Sequence, residues 1–161
     1  MLLAFLHLAA RRGEIFRLTW ADVDFANSRV RLWTRKRTGG TFDYDWLPMT
    51  GELRKAMMGW WEQRPVKDQP QVFLCLDQTE FCRDYYGKPF LYRIHLMKRL
   101  CDRAGVTQFG FHAIRHLSAS ILFKLGYGVG VIQSILRHRS PNTTERYLRS
   151  VGLERVRQAL E

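Results

Sequence analysis

The chain is predicted to be mainly α-helical with a small antiparallel β-sheet, an α+β domain, and three observations give that class. Beyond about residue 91, apolar residues recur at helical spacing between glycine stop signals. Between Val30 and Trp46 the pattern changes to strict alternation on either side of Thr38-Gly39-Gly40, which reads as a hairpin. Finally, 161 residues with 46% hydrophobic and 13% aromatic side chains suffice for one domain with a core that needs no disulfide or metal.

The elements follow in order. Leu2, Leu3, Phe5, Leu6 and Leu8 predict a mostly buried helix, too short to span a bilayer and without a basic region ahead of it. Arg11-Arg12-Gly13 breaks it, helical spacing resumes over Glu14–Trp20, and Ala21–Asp24 reads as a turn. Val30, Leu32 and Thr34 alternate with arginines as a half-exposed strand, and Phe42, Tyr44 and Trp46 form the return strand. Thr50 caps a helix over about 51–63, ended by Pro65. Val72–Leu76 predicts a third strand, and Asp77–Pro89 a loop. Helices are then expected over Leu91–Ala104 with Gly105 as stop, over Phe111–Leu125 stopped by Gly126, and over about 129–136. Ser140-Pro141 starts a further helix to about 149, and an amphipathic turn or two spans 153–160.

The formal charge of +11 points to a polyanionic partner, nucleic acid above all. It is concentrated late in the chain. Residues 1–92 carry 14 basic and 11 acidic groups, and residues 93–161 carry 12 and 4. The three cysteines, Cys75, Cys82 and Cys101, are odd in number and form no C-x-x-C pair. That argues against a disulfide framework and a zinc ribbon, and predicts buried reduced thiols.

Five pieces carry chemistry. Arg11 lies at a helix break with Glu14 three residues on, so the carboxylate can orient a guanidinium toward an anion. Arg35-Lys36-Arg37 places three cations at the hairpin tip. His112 and Arg115 share one helix face at i, i+3. His116 follows His112 at a spacing that suits zinc, but no third ligand is evident, so no metal is expected. His138 stands between Arg137 and Arg139, and Tyr147 follows nine residues later. Each piece alone has an ordinary explanation. Together they make a set suited to attack on a phosphodiester. Arginines neutralise phosphoryl oxygens, histidine moves a proton near neutral pH, and lysine protonates a departing oxygen. Cations near a tyrosine favour its phenolate as nucleophile.

The order Arg-x-x-Glu, cationic hairpin, His-x-x-Arg, Leu-x-His and then Tyr resembles the tyrosine recombinase (phage integrase) family over nearly the whole chain. Arg11–Ile15 through Leu18, Trp20 and Asp22–Asp24 is similar to its first box, Phe111–His116 to its second, and Leu136–Ser140 with Thr143–Tyr147 to its third. The resemblance implies the catalytic-domain fold of the DNA breaking-rejoining enzymes and a site-specific recombinase or integrase. By it, Arg11 and Arg115 hold the scissile phosphate and Lys36, or a neighbouring hairpin cation, is the general acid. His112 assists proton transfer, His138 binds a phosphate oxygen, and Tyr147 forms a 3′-phosphotyrosyl bond. Glu14 supports, while Arg35, Arg37, Arg137 and Arg139 are DNA contacts. No cofactor is implied.

The expected partners are double-stranded DNA and, for a full-length protein, three further copies in a tetramer on DNA, with a monomer as the alternative for the fragment itself. No membrane association is expected, and the setting is the cytoplasm of a bacterium or a phage-infected host. The whole chain, 1–161, is read as the catalytic domain, with its own start and an N-terminal DNA-clamping domain missing. DNA affinity is then expected to be weak and strongly salt-dependent. The segment 153–160 packs on a neighbouring protomer or on its own domain. Leu8-Ala9 stands where the family has Thr-Gly, the hairpin lysine lies one place early, and Arg137 replaces a common glycine. A type IB topoisomerase-like enzyme and a non-catalytic DNA-binding fragment are the alternatives.

Overall fold

The computed structural model describes residues 1–35, 40–90, 95–138, 140–145 and 148. Six α-helices and one three-stranded antiparallel sheet are named among them, in the mainly helical class expected.

Helix α1 (Leu2–His7) is shorter and less enclosed than its composition suggests. Ala4, Phe5 and Leu8 are buried, while Leu2 and Leu3 face outward. The break falls at Ala9, whose φ is 44°. Helix α2 (Arg12–Arg17) therefore begins before Gly13 rather than after it. The cause is local: the Arg11 N–H donates to Glu14 Oε2 at 2.7 Å, which satisfies an orphan donor at the helix start. Helix α2 also stops short of Trp20, because Leu18 is extended. Trp20–Asp22 forms a separate 3₁₀ turn.

The third strand is not Val72–Leu76. It is the two-residue β1 (Val23–Asp24), paired with β2 (Arg29–Arg35), which pairs in turn with β3 (Phe42–Pro48). The buried Asp22 carboxylate draws β1 onto β2, with Oδ1 accepting from Arg31 Nε at 2.8 Å and Trp33 Nε1 at 2.9 Å. Residues 72–75 are apolar because they cross the core. Their backbone is satisfied piecemeal: Val72 N–H donates to Leu18 O, Cys75 N–H to Lys88 O, and Trp60 Nε1 to Val72 O. The expected loop that follows contains a 3₁₀ turn over Glu80–Tyr85.

Thr50 caps helix α3 (Gly51–Gln63), its Oγ1 accepting from Leu53 N–H. Helix α4 (Leu96–Ala104) ends at Gly105, whose φ of 63° is open to glycine without steric conflict. Helix α5 (Phe111–Lys124) and helix α6 (Val129–Leu136) follow as expected. Residues 141–145 are helical, and the turn expected over 153–160 lies outside the described residues. All three cysteines are buried. No helix among the described residues is long and apolar enough to cross a membrane.

Two apolar clusters result. The larger packs α1, α2, α3, the sheet, α4 and the start of α5 around Phe5, Phe16 and Phe111. The smaller joins Ala9, Ala119, Ile132, Leu136 and Leu148. The ends of α1 and α6 meet beside the smaller cluster, and the chemistry-bearing residues gather there.

Candidate active site

The site grows from two helix C-termini. The last carbonyls of a helix have no partner within it and carry partial negative charge. At the end of α1 and the end of α6, two buried arginines supply the missing donors. Arg115 on α5 is 1% exposed and donates from one terminal nitrogen to Ala9 O and from the other to Leu136 O. Arg137 donates from NH1 to Leu8 O at 3.3 Å and to Ile135 O at 3.1 Å. The left-handed turn at Ala9 belongs to this arrangement, since Ala9 O is one of the acceptors.

Glu14 is the anionic hub. It is 3% exposed, and its carboxylate accepts four hydrogen bonds. Oε2 takes Arg11 N–H at 2.7 Å and Arg137 NH2 at 2.6 Å. Oε1 takes Arg11 NH1 at 2.9 Å and the Thr34 hydroxyl at 2.7 Å. Burial alone would raise this carboxyl. Arg137, the Arg11 N–H, the Thr34 hydroxyl and the Arg11 guanidinium together overcome that and hold it below the usual range. Arg11 differs from the other two arginines, since 38% of its side chain remains exposed while Glu14 fixes its plane. Its NH2 also donates to Arg137 O at 3.3 Å, which places it beside the residue preceding His138.

The histidines sit inside this field. His138 shares a hydrogen bond between Nδ1 and Thr144 Oγ1 at 2.9 Å, and Thr144 is fully buried. Burial, followed by Arg115, Arg11, Arg137 and His112, pushes the His138 imidazole down to about 4. His112, in the first turn of α5, is lowered by burial and then by Arg115 and Arg11. Its ring lies 4.8 Å from that of His116, edge to face, and His116 is lowered too, by burial first. Both His112 and His138 are therefore neutral at neutral pH, and both lie within electrostatic reach of the same two arginines.

Arg11, His112, Arg115 and His138, singled out from different parts of the sequence, thus converge. Arg137, expected as a DNA contact, has a side chain that is 6% exposed and turned inward onto Glu14. Arg35 lies at the exposed end of β2. Lys36, Arg37, Arg139 and Tyr147 lie outside the described residues. Thr144 is held on His138, and Leu148 packs in the cluster of Ala9 and Leu136. Among the described residues no group of three or more histidine, cysteine or carboxylate side chains is arranged to hold a metal.

Sequence reasoning missed Thr34, Thr144 and the carbonyls of Ala9 and Leu136. Thr34 had a signal: it occupies an inward position of the alternation begun by Val30 and Leu32, and a polar group there requires a partner. Backbone carbonyls have no side-chain signature.

A family model described as the phage integrase family matches residues 1–152. The integrase/recombinase y4rA of Sinorhizobium fredii is 29% identical over 160 residues, 98% of this chain but 36% of that protein. Among solved structures, XerA recombinase superposes with a TM-score of 0.71 at 23% identity, covering 97% of this chain and 55% of the other. The Tn1549 transposon integrase, in complex with transposon right end DNA, gives 0.69 at 18% identity, covering 99% and 58%. The chain thus spans roughly a third of the length of its curated relative y4rA, and both structural likenesses concern the fold. With the family model covering nearly its whole length, this chain belongs to the phage integrase family.

Proposed function

We propose that this chain is the catalytic domain of a site-specific DNA recombinase that cleaves and rejoins strands through a tyrosyl–phosphate bond. The observation that carries the reading is the convergence of Arg11, Arg115, His112 and His138 on one seam, where Thr144 and Leu148 also pack.

In this reading the scissile phosphate sits against the part-exposed Arg11 guanidinium, which neutralises its non-bridging oxygens as charge builds, while the buried Arg115, held on Ala9 O and Leu136 O, adds positive field from behind. The Tyr147 oxygen attacks phosphorus. A phosphorus–oxygen bond to tyrosine forms on the 3′ side as the bond to the 5′ oxygen breaks. The tyrosine proton passes to neutral His112, and the 5′ oxygen takes a proton from Lys36 or a neighbouring hairpin cation. Thr144 donating to His138 Nδ1 would leave the ring proton on Nε2, where it can bond a phosphoryl oxygen. One phosphodiester replaces another, so strand joining is the same chemistry in reverse. DNA is then the partner, with four copies assembling on it in the full-length protein, in the cytoplasm of a bacterium or a phage-infected host.

The test is covalent capture on a random-sequence duplex library carrying a nick that releases the cleaved fragment. A denaturation-resistant protein–DNA adduct is expected, absent in Tyr147→Phe. DNA binding with no adduct from the unaltered chain would contradict the catalytic reading and favour a DNA-binding module. Relaxation of supercoiled DNA independent of any recovered sequence would contradict site-specific recombination.

A further inference from the structure

Arg137 closes helix α6 with φ at 53°, a left-handed conformation that glycine adopts freely and arginine does not. A glycine would make this turn with less strain, so the side chain needs a reason to be present. That side chain is 6% exposed and runs across the seam to Glu14, from the end of α6 to the first turn of α2.

We propose that Arg137 is a positioning residue for the cleavage reaction: through Glu14 it fixes the direction of the Arg11 guanidinium and its spacing from His138. The inference rests on the reading of Arg11 as a phosphate ligand. Three observations support it. Arg137 NH2 and the Arg11 N–H share one Glu14 oxygen, at 2.6 and 2.7 Å. The Arg137 carbonyl accepts from Arg11 NH2 at 3.3 Å, so Arg137 holds the Arg11–Glu14 pair with both its backbone and its side chain. Arg137 NH1 reaches Leu8 O and Ile135 O, which ties the ends of α1 and α6 together where Arg11 and His138 begin.

Of the groups that hold Glu14 ionised, the Arg137 guanidinium acts more strongly than that of the part-exposed Arg11. The groups facing Glu14 are Arg11 ahead of α2, Thr34 on β2 and Arg137 beyond α6, with Asp45 on β3 acting on Arg137. Without Arg137, burial drives Glu14 toward its protonated form, which grips the Arg11 guanidinium less firmly. A lysine in its place supplies charge but not a planar fork that spans Glu14 and two carbonyls.

The experiment compares the unaltered chain with Arg137→Gly, Arg137→Lys, Glu14→Gln and the double variant Glu14→Gln/Arg137→Gly. Three quantities are read: the Glu14 carboxyl titration by carbon-13 NMR, equilibrium affinity for a random-sequence duplex, and the rate of adduct formation at saturating DNA. Arg137→Gly is expected to raise the Glu14 titration midpoint and slow adduct formation by up to about 10²-fold, the penalty for a displaced catalytic group. DNA affinity is expected to stay within roughly twofold, the scatter of sites that do not interact. Arg137→Lys is expected to recover part of the rate. The double variant leaves no buried unpaired carboxylate, so it is expected to be more stable than Arg137→Gly, and its rate is expected to match that of Glu14→Gln.

An unchanged Glu14 titration with an unchanged rate overturns the proposal. So does a loss confined to DNA affinity, which would make Arg137 a DNA contact. If the unaltered chain forms no adduct, the recombinase reading fails, and the Glu14 titration alone then decides whether Arg137 governs that carboxylate.

Discussion

Two groups of arginines in this chain are treated in opposite ways. On the outer face of the sheet, Arg29 and Arg31 lie over aromatic rings, Arg29 at 4.4 Å from the Trp46 centroid and Arg31 at 5.0 Å from that of Trp33. They keep contact with solvent and pair with Asp24 and Asp22. In the seam, Arg115 and Arg137 are withdrawn from solvent and fixed by carbonyls from two helix ends, with Glu14 as the shared anion. The difference shows what burial does to a cation. A stacked surface arginine adds local cohesion and tolerates rearrangement. A buried one has a single orientation, and removing any of its partners leaves another group unsatisfied.

The comparison breaks first at Arg115. Arg115→Ala leaves the carbonyls of Ala9 and Leu136 without their donor and opens a cavity between the two apolar clusters. A loss of about 3–5 kcal/mol in urea-denaturation stability is expected, as for other broken buried charge sites. Glu14→Gln comes next. It strips Arg137 of its counter-ion while keeping the shape, so roughly 2–4 kcal/mol should be lost in the same assay.

The pH dependence is of intermediate size. The His138 imidazole titrates at about 4 in the folded chain against an ordinary 6.5. Between those values the unfolded chain binds a proton that the folded chain refuses. Stability is therefore whole above pH 6.5 and declines as pH falls toward about 4. His112 and His116, also lowered, act in the same direction. The lowered Glu14 extends the decline to more acid pH. Thermal melts across this range should show the slope, and His138→Gln should flatten it. The smallest effect belongs to the sheet. Arg29→Ala removes an exposed pair with Asp24 and a stacked contact, and the denaturation midpoint should shift less than for either substitution above.

The same contrast explains what could be read from sequence. That Arg11, His112, Arg115 and His138 belong together was legible because their side-chain types suit one anion and their order along the chain is distinctive. Helices α3 to α6 were legible from apolar spacing and their caps, Thr50 and Gly105 among them. Arg137 was not, because in Leu-Arg-His-Arg it resembles its neighbours, and only the φ at that position turns it inward. The strand β1 was hidden because two residues cannot show alternation, and its pairing depends on Asp22 reaching Arg31 and Trp33. Residues 72–75 read as a strand because a continuous apolar run marks burial, whatever the backbone does there.

The account depends on Arg11 acting on the charge of one phosphate. That is tested most directly by pairing Arg11→Ala with a DNA substrate whose scissile phosphate is a neutral methylphosphonate, at the site recovered by covalent capture. On ordinary phosphate the substitution should slow adduct formation by about 10²–10³-fold, as for loss of one donor to a developing oxyanion. On the methylphosphonate that loss should shrink to roughly tenfold or less, because the charge Arg11 opposes is gone. Equal losses on the two substrates would contradict the claim and return Arg11 to a purely structural role beside Glu14.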